Sequence, residues 1–295
     1  MRILVIGSLG YIGSAITTAL KKDYVVDGCD IRWYTDSLTD YNYDYKLIKS
    51  FSNYSHILLF AGHSSVDMCL NNYSAAWQNN VVNFSNLIGK LNESQTLIYA
   101  SSASVYGSQG RIFEEDYPCN SYLNDYDLTK QIIEKIAMGA KCTTIGLRLS
   151  TVNGYLSDTV RSELLLNAMV KNAIENNTIL CSSKNNYRSI IGINDLIRAI
   201  TVILNKKEIS SNIYNLASFS NTIGNFAEIC SSTFNIPVNY SDDTTSKYSF
   251  QLNSSKFCNE FNFRFSDTPF TVIDSLKNNY KKIIWTSRNQ KKEYE

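Results

Sequence analysis

The sequence predicts an α/β fold, a doubly wound parallel sheet with a smaller α/β lobe on its C-terminal side, and three observations carry that prediction. Short apolar runs alternate with helical patterns through residues 1–150, a glycine-rich turn follows the first run, and beyond Ser150 the alternation loses its regularity. Strands separated by helices imply parallel neighbours joined by right-handed crossovers, because parallel pairing needs long connections. Residues 1–150 are therefore expected to form the sheet domain. Residues 151–285 should form most of a second lobe, partly interleaved with the first, and 286–295, TSRNQKKEYE, read as a flexible, solvated tail.

In order along the chain, Arg2–Ile6 reads as a core strand, Tyr11–Lys21 as a helix and Tyr24–Cys29 as the second strand. His56–Ala61 is a third strand. Ser74–Lys90 has helical spacing, the run 96–100 is strand-like, Tyr126–Met138 is helical, and Thr143–Leu149 is again a strand. The second lobe is expected to hold helices near 160–176, 193–204, 222–233 and 270–284, with strands near 178–181 and at Ile213–Leu216.

Composition narrows the partners. Lys plus Arg number 28 and Asp plus Glu 27, so no broad basic field draws the chain to nucleic acid or to an anionic membrane, and a small molecule is the expected partner. No run approaches the length of a membrane span, and MRILVIG moves straight into a strand instead of a signal peptide. Seven scattered cysteines (29, 69, 119, 142, 181, 230, 258) include no C-x-x-C pair, which argues against a disulfide framework and against a metal site. A cytoplasmic protein is expected.

Directly after the first strand comes Gly7-Ser8-Leu9-Gly10-Tyr11-Ile12-Gly13. Glycines in that place let the backbone turn tightly and approach a pyrophosphate, whose charge meets the N–H groups of the helix start. The second strand closes at Asp30, followed by Ile31. A carboxylate there can accept from ribose hydroxyls and repels a 2′-phosphate, which favours NAD over NADP, whereas Arg32 points the other way.

Two further stretches carry chemistry. YASSASVYG, residues 99–107, ends a buried run in small hydroxyls, so Ser101, Ser102 and Ser104 are all candidates to touch a reacting group. Tyr126 and Lys130 stand four apart on one helix face. An ammonium beside a phenol favours the phenolate, which can then take a proton from a sugar hydroxyl while hydride leaves the same carbon.

With these motifs in place, the chain resembles the extended short-chain dehydrogenase/reductase family of nucleotide-sugar epimerases and dehydratases, which have a Rossmann-type sheet. The resemblance rests on GSLGYIG at 7–13, FAGHSSV at 60–66, Asn80-Val81, YASSASVYG and YDLTK at 126–130, with weaker echoes at Arg148, YRSIIGIND at 187–195 and LNSSKF at 252–257. It implies that Ser102, Tyr126 and Lys130 do the chemistry. The cofactor would lie on Gly7, Gly10, Tyr11, Ile12, Gly13, Asp30, Ile31, Ala61, Gly62, Asn80 and Ser101, with Lys130 holding the nicotinamide ribose. It further implies a nucleotide-diphosphate sugar lined by His63, Ser64, Ser104 and Thr151 and clamped by Arg188, and a homodimer through helices near 74–90 and 121–139. Ala103-Ser104 stand where the family's dehydratases carry an acidic pair, so oxidation and re-reduction at C4 is the implied reaction. A 4-keto-sugar reductase and a cofactor-binding module without catalysis remain as alternatives.

Overall fold

A computed structural model of the protein describes residues 1–31, 44–241 and 248–287. Six parallel strands form its main sheet. β1 (Arg2–Ile6) pairs on one side with β2 (Val25–Cys29) and on the other with β3 (His56–Leu59), beyond which lie β4 (Thr96–Ser102), Thr143–Leu149 and finally Asn212–Leu216. The chain runs outward to β2, then crosses back over β1 to lay down β3. That reversal opens a crevice at the carboxyl ends of β1 and β3, the place where open α/β sheets take ligands.

The strands read as near-continuous apolar runs because both faces are covered. Ile3 and Val5 point into one buried cluster, while Leu4 and Ile6 point into the other. The first cluster takes in α1 (Tyr11–Leu20), the helix Ile193–Leu204 and the helices Leu165–Asn176, Ile223–Phe234 and Pro269–Asn279. The second packs the sheet against the helices Asn83–Gly89 and Asp125–Met138.

Residues 151–211 leave the main sheet and Asn212–Leu216 returns to it as the edge strand, five residues paired in register with 145–149. Outside the main sheet lie a three-stranded sheet, Phe219–Thr222, Tyr187–Gly192 and Thr151–Asn153, and the helices Leu165–Asn176, Ile223–Phe234 and Pro269–Asn279.

Several boundaries differ from expectation for identifiable reasons. Residues 159–161 form a strand paired with Ile284–Thr286, so the helix expected from 160 starts only at Leu165, and Thr286, placed in the tail, is a paired strand residue. The rest of that tail from 288 on, like Arg32, lies outside the described residues. The helix read as 74–90 is segmented: Val66–Asn71, Tyr73–Trp77, a π-turn at Gln78–Val82, and Asn83–Gly89. The last helix stops at Asn279 and passes into a 3₁₀ turn. No helix among the described residues is long and apolar enough to cross a membrane.

One buried ion pair ties the layers together. The Arg148 Nε and Nη2 atoms donate to the two oxygens of Glu134 at 2.9 and 2.8 Å, with both side chains only 7% exposed. Ser101 donates to the same carboxylate, and Arg148 Nη1 donates to Tyr106, whose hydroxyl donates to Asn215 on the edge strand. Bidentate geometry and complete hydrogen bonding let the interior tolerate these charges, whereas a lone buried charge is severely penalised. Arg148→Ala is expected to cost about 3–5 kcal/mol of folding stability, measured by urea denaturation; a loss under about 1 kcal/mol would refute this role.

Candidate active site

The crevice begins at the glycine loop. Gly7 has φ +90°, and a Cβ there would lie 2.6 Å from the Ala61 nitrogen; one on Gly13 would lie 1.9 Å from the Gly7 carbonyl oxygen. No side chain fits at either position, so the loop, the start of α1 and the loop after β3 meet backbone to backbone. Gly10 caps α1 without a side-chain hydrogen bond, which leaves the first N–H groups of the helix for a ligand. The Ser8 hydroxyl, on the same loop, is buried with no partner among the described residues. The buried Asp30 carboxylate accepts from the Leu9 N–H at 3.0 Å and so holds the loop against the end of β2, while the Ile31 side chain is exposed. An open helix start, a side-chain-free cradle and an orphaned hydroxyl fit a dinucleotide diphosphate.

The loop after β3 is held from behind. Asn80 lies buried in the π-turn, where the extra residue per turn brings its amide against residues 62–63. Its Oδ1 accepts from the His63 N–H at 2.8 Å, and its Nδ2 donates to the His63 carbonyl at 3.0 Å and to Thr129 at 3.3 Å. Ala61, Gly62 and His63 are thereby fixed to the helix that carries Tyr126 and Lys130.

Ser102, Tyr126 and Lys130 converge at the carboxyl end of β4. The Ser102 Oγ accepts from the Ser104 N–H at 3.1 Å and lies 2.9 Å from the Ser104 Oγ. Asn124 caps the helix Asp125–Met138, accepting from the Asp127 N–H, and this cap sets Tyr126 in the first turn. Burial pushes the Tyr126 phenol above its ordinary value, while a hydrogen bond with Ser102 and the charge of Arg161 pull it down. One turn on, the Lys130 Nζ donates to the Ala100 carbonyl at 2.8 Å and stands 5.7 Å from the Tyr126 ring centre. Burial lowers the Lys130 ammonium to about 8.

A family model described as "NAD dependent epimerase/dehydratase family" matches residues 3–217. The chain belongs to that family. It is 29% identical over 181 residues to a UDP-glucose 4-epimerase of Lactobacillus helveticus, covering 54% of each chain. It is 27% identical over 185 residues to UDP-glucuronate 4-epimerase 4 of Arabidopsis thaliana, covering 52% of this chain and 42% of that one. The alignments thus span about half the length of these curated relatives. Among solved structures, the UDP-glucuronic acid 4-epimerase of Bacillus cereus, in complex with UDP-glucuronic acid and NAD, superposes with a TM-score of 0.83 at 17% identity, over 96% of this chain and 99% of that one. The UDP-glucose 4-epimerase of Thermus thermophilus, in complex with NAD, gives 0.77 at 16% identity over 95% and 99%. These two likenesses show the fold.

Within this NAD-dependent family member, two side chains point elsewhere than the resemblance implied. The Tyr11 hydroxyl donates to the Gly154 carbonyl at 2.7 Å from inside the core, so Tyr11 ties the glycine loop to the turn after Thr151–Asn153 and can meet a cofactor only through its backbone. Ile12 packs beside the same core. Ser101 alternates with Ser102 on the strand and therefore faces Glu134 on the opposite side of the sheet. Arg188 donates to the carbonyls of Tyr187, at 3.0 Å, and Tyr248, and burial draws its pKa down to about 10. Thr151 is half-buried in the strand beside Ile190, and His63 Nδ1 lies 3.3 Å from Asn79 Nδ2.

Sequence reasoning overlooked Arg161, Asp127 and Tyr248. Arg161 donates from Nη1 to the carbonyl and hydroxyl of Ser64, each at 3.4 Å, and from Nε and Nη2 to Glu163, and its charge acts on Tyr126. A signal for Asp127 was present, an acid directly after the tyrosine of YDLTK.

Gly13→Ala is expected to abolish retention of a dinucleotide through purification, read as NAD released on acid precipitation; normal retention would show that the helix start is not the diphosphate site. Asn80→Ala is expected to weaken NAD binding about tenfold by freeing the 61–63 loop, measured by calorimetry on cofactor-stripped protein, since each lost hydrogen bond is worth about 1 kcal/mol.

Proposed function

We propose that the protein is an NAD-dependent nucleotide-sugar 4-epimerase that inverts C4 through a transient 4-keto sugar. The convergence of Ser102, Tyr126 and Lys130 at the crevice carries this reading. Bound NAD would accept a hydride from the sugar carbon and later return it. Tyr126, as the phenolate, takes the proton of the C4 hydroxyl and gives it back after the keto sugar has turned over. Ser102 donates a hydrogen bond to the oxygen as it becomes a carbonyl, and Lys130 stabilises the phenolate by its charge. Cradle and orphaned hydroxyl support NAD as the cofactor, with NADP disfavoured by the position of Asp30.

The choice of epimerisation over dehydration rests on Ala103-Ser104. Dehydration needs an acid to protonate the departing hydroxyl, and this turn offers no carboxylate. A nucleotide-diphosphate sugar is the substrate class, with Arg188 on the diphosphate side and Thr151, His63 and Ser64 toward the sugar. The names of the curated relatives make UDP-glucose and UDP-glucuronate the first to test.

A homodimer through the helices at 73–89 and 125–138 is part of the same proposal. Leu70, Tyr73 and Met138 are large apolar side chains 59%, 55% and 78% exposed in and beside this region. The seven cysteines are all free and five of them buried, which suits the reducing cytoplasm as the compartment.

Purified protein should carry bound NAD and interconvert the two C4 epimers of a UDP-sugar, followed by proton NMR, without consuming added NAD(P)H. Stoichiometric consumption of NADPH with a keto sugar would instead mark a reductase. Tyr126→Phe should lower kcat by about 10²–10⁴-fold with NAD content unchanged; activity that survives the substitution would remove Tyr126 from the mechanism. Light scattering at micromolar concentration should give a dimer mass, and Met138→Asp a monomer; a wild-type monomer would overturn the assembly.

A further inference from the structure

The first turn of α1 faces two ways. Its backbone N–H groups are the ones left for the cofactor diphosphate, and its side chains reach a segment 143 residues away. The Tyr11 hydroxyl donates to the Gly154 carbonyl at 2.7 Å, and the Ser14 Oγ lies 2.7 Å from the Ser157 Oγ. Ser14 also donates to the Tyr11 carbonyl at 3.3 Å, so both contacts leave from one turn. Packing asks only for an aromatic ring at position 11; the hydroxyl adds a connection.

From Gly154 the hydrogen bonds run on to the loop after β3. The Gly154 N–H donates to the Asn167 Oδ1 at 3.0 Å, and the Asn167 Nδ2 donates to the Arg161 carbonyl at 2.9 Å. Arg161 donates from Nη1 to the Ser64 carbonyl and hydroxyl, each at 3.4 Å. Ahead of the turn, the Asn153 Oδ1 accepts from the Leu166 and Asn167 N–H groups at 2.9 and 3.2 Å, and its Nδ2 donates to the Thr151 carbonyl at 3.0 Å. Tyr11, Asn153 and Asn167 are all buried, so removing any one of them leaves an interior partner unsatisfied. An unbroken series of hydrogen bonds therefore joins the cofactor turn to Arg161 and Ser64.

We propose that Tyr11, with Ser14 beside it, is a positioning residue that couples the two binding sites: when the first turn of α1 is held by the cofactor, residues 154–161 are held with it, and Arg161 and Ser64 are set for the nucleotide sugar. The cofactor half follows from membership of an NAD-dependent family. The substrate half rests on the placing of Ser64 and Thr151 toward the sugar in the proposed function. The Tyr11 phenol lies in the core and acts only through the turn it holds. Such a coupling is reciprocal, so a bound nucleotide sugar tightens NAD by the factor with which NAD tightens the nucleotide sugar.

The test uses the full chain, stripped of cofactor or saturated with NAD, and two variants, Tyr11→Phe and Ser157→Ala. Tyr11→Phe removes only the hydroxyl. Ser157→Ala cuts the second contact from the far side and leaves α1 unaltered, so it decides the matter even where Tyr11→Phe does not fold. Amide hydrogen exchange is followed by mass spectrometry in peptides covering 154–161. NAD should slow exchange there about fivefold in the wild type, the equivalent of one hydrogen bond, and less than about twofold in either variant. A merely structural role for Tyr11 would quicken exchange alike with and without NAD and leave that ratio unchanged. Calorimetry with UDP-glucose and UDP-glucuronate reads the same coupling at the substrate: NAD should tighten the better ligand about fivefold in the wild type and leave it unchanged in Tyr11→Phe. Protection kept at the wild-type level in either folded variant, or absent from the wild type, would overturn the coupling. A wild-type UDP-sugar affinity that NAD does not alter would overturn its extension to Arg161 and Ser64. Failure of both UDP-sugars to bind would defeat the functional proposal, while the exchange ratio still decides whether Tyr11 ties 154–161 to the cofactor.

Discussion

Everything at the crevice depends on three stretches of backbone lying closer together than any side chain allows. Gly13 sits against the Gly7 carbonyl, and Gly7 sits against the Ala61 nitrogen. The first contact sets α1 on β1, and the second locks the loop after β3 to the loop after β1 at the point where strand order reverses. From there the order propagates outward. Asn80 fixes the 61–63 loop to the π-turn and to Thr129, so the helix that carries Tyr126 and Lys130 is placed relative to the glycine loop by hydrogen bonds.

A second layer of constraint is electrostatic. Charge in the interior is concentrated in a few saturated groups: Glu134 with Arg148, Asp195 among Ser218, Arg198 and the backbone of 266–267, and Asp127 among its donors. Each links elements distant in sequence. The strand Thr143–Leu149 is joined to its helix by the first, and residues 266–267 are tied to the start of the helix Ile193–Leu204 by the second. Bidentate hydrogen bonding adds directional specificity to close packing, which suits a site that must keep hydroxyls aligned to fractions of an ångström.

The main sheet was legible because its strands are short apolar runs set between glycines and helical patterns, and local pattern suffices for such elements. The glycine loop and the Tyr126 to Lys130 spacing were legible for the same reason, as each lies within one short window. The misplaced side chains were decided at a distance. Nothing near Tyr11 in sequence reveals the Gly154 carbonyl, and the partner that Ser101 meets, Glu134, stands 33 residues away. The strand at 159–161 depends on a partner at 284–286, and the link from Asp127 to Tyr248 spans 121 residues. The π-turn at 78–82 hid inside a pattern that read as one regular helix.

The return of Asn212–Leu216 to the main sheet also bears on synthesis. Until residue 216 has left the ribosome, the strand Thr143–Leu149 presents an unpaired hydrogen-bonding edge, and the Arg148 network lacks its Asn215 member. The nascent sheet must therefore hold an open edge while residues 151–211 are made, which exposes it to pairing with other chains. The six-stranded sheet is for this reason completed only by a strand that follows residues 151–211 in the chain.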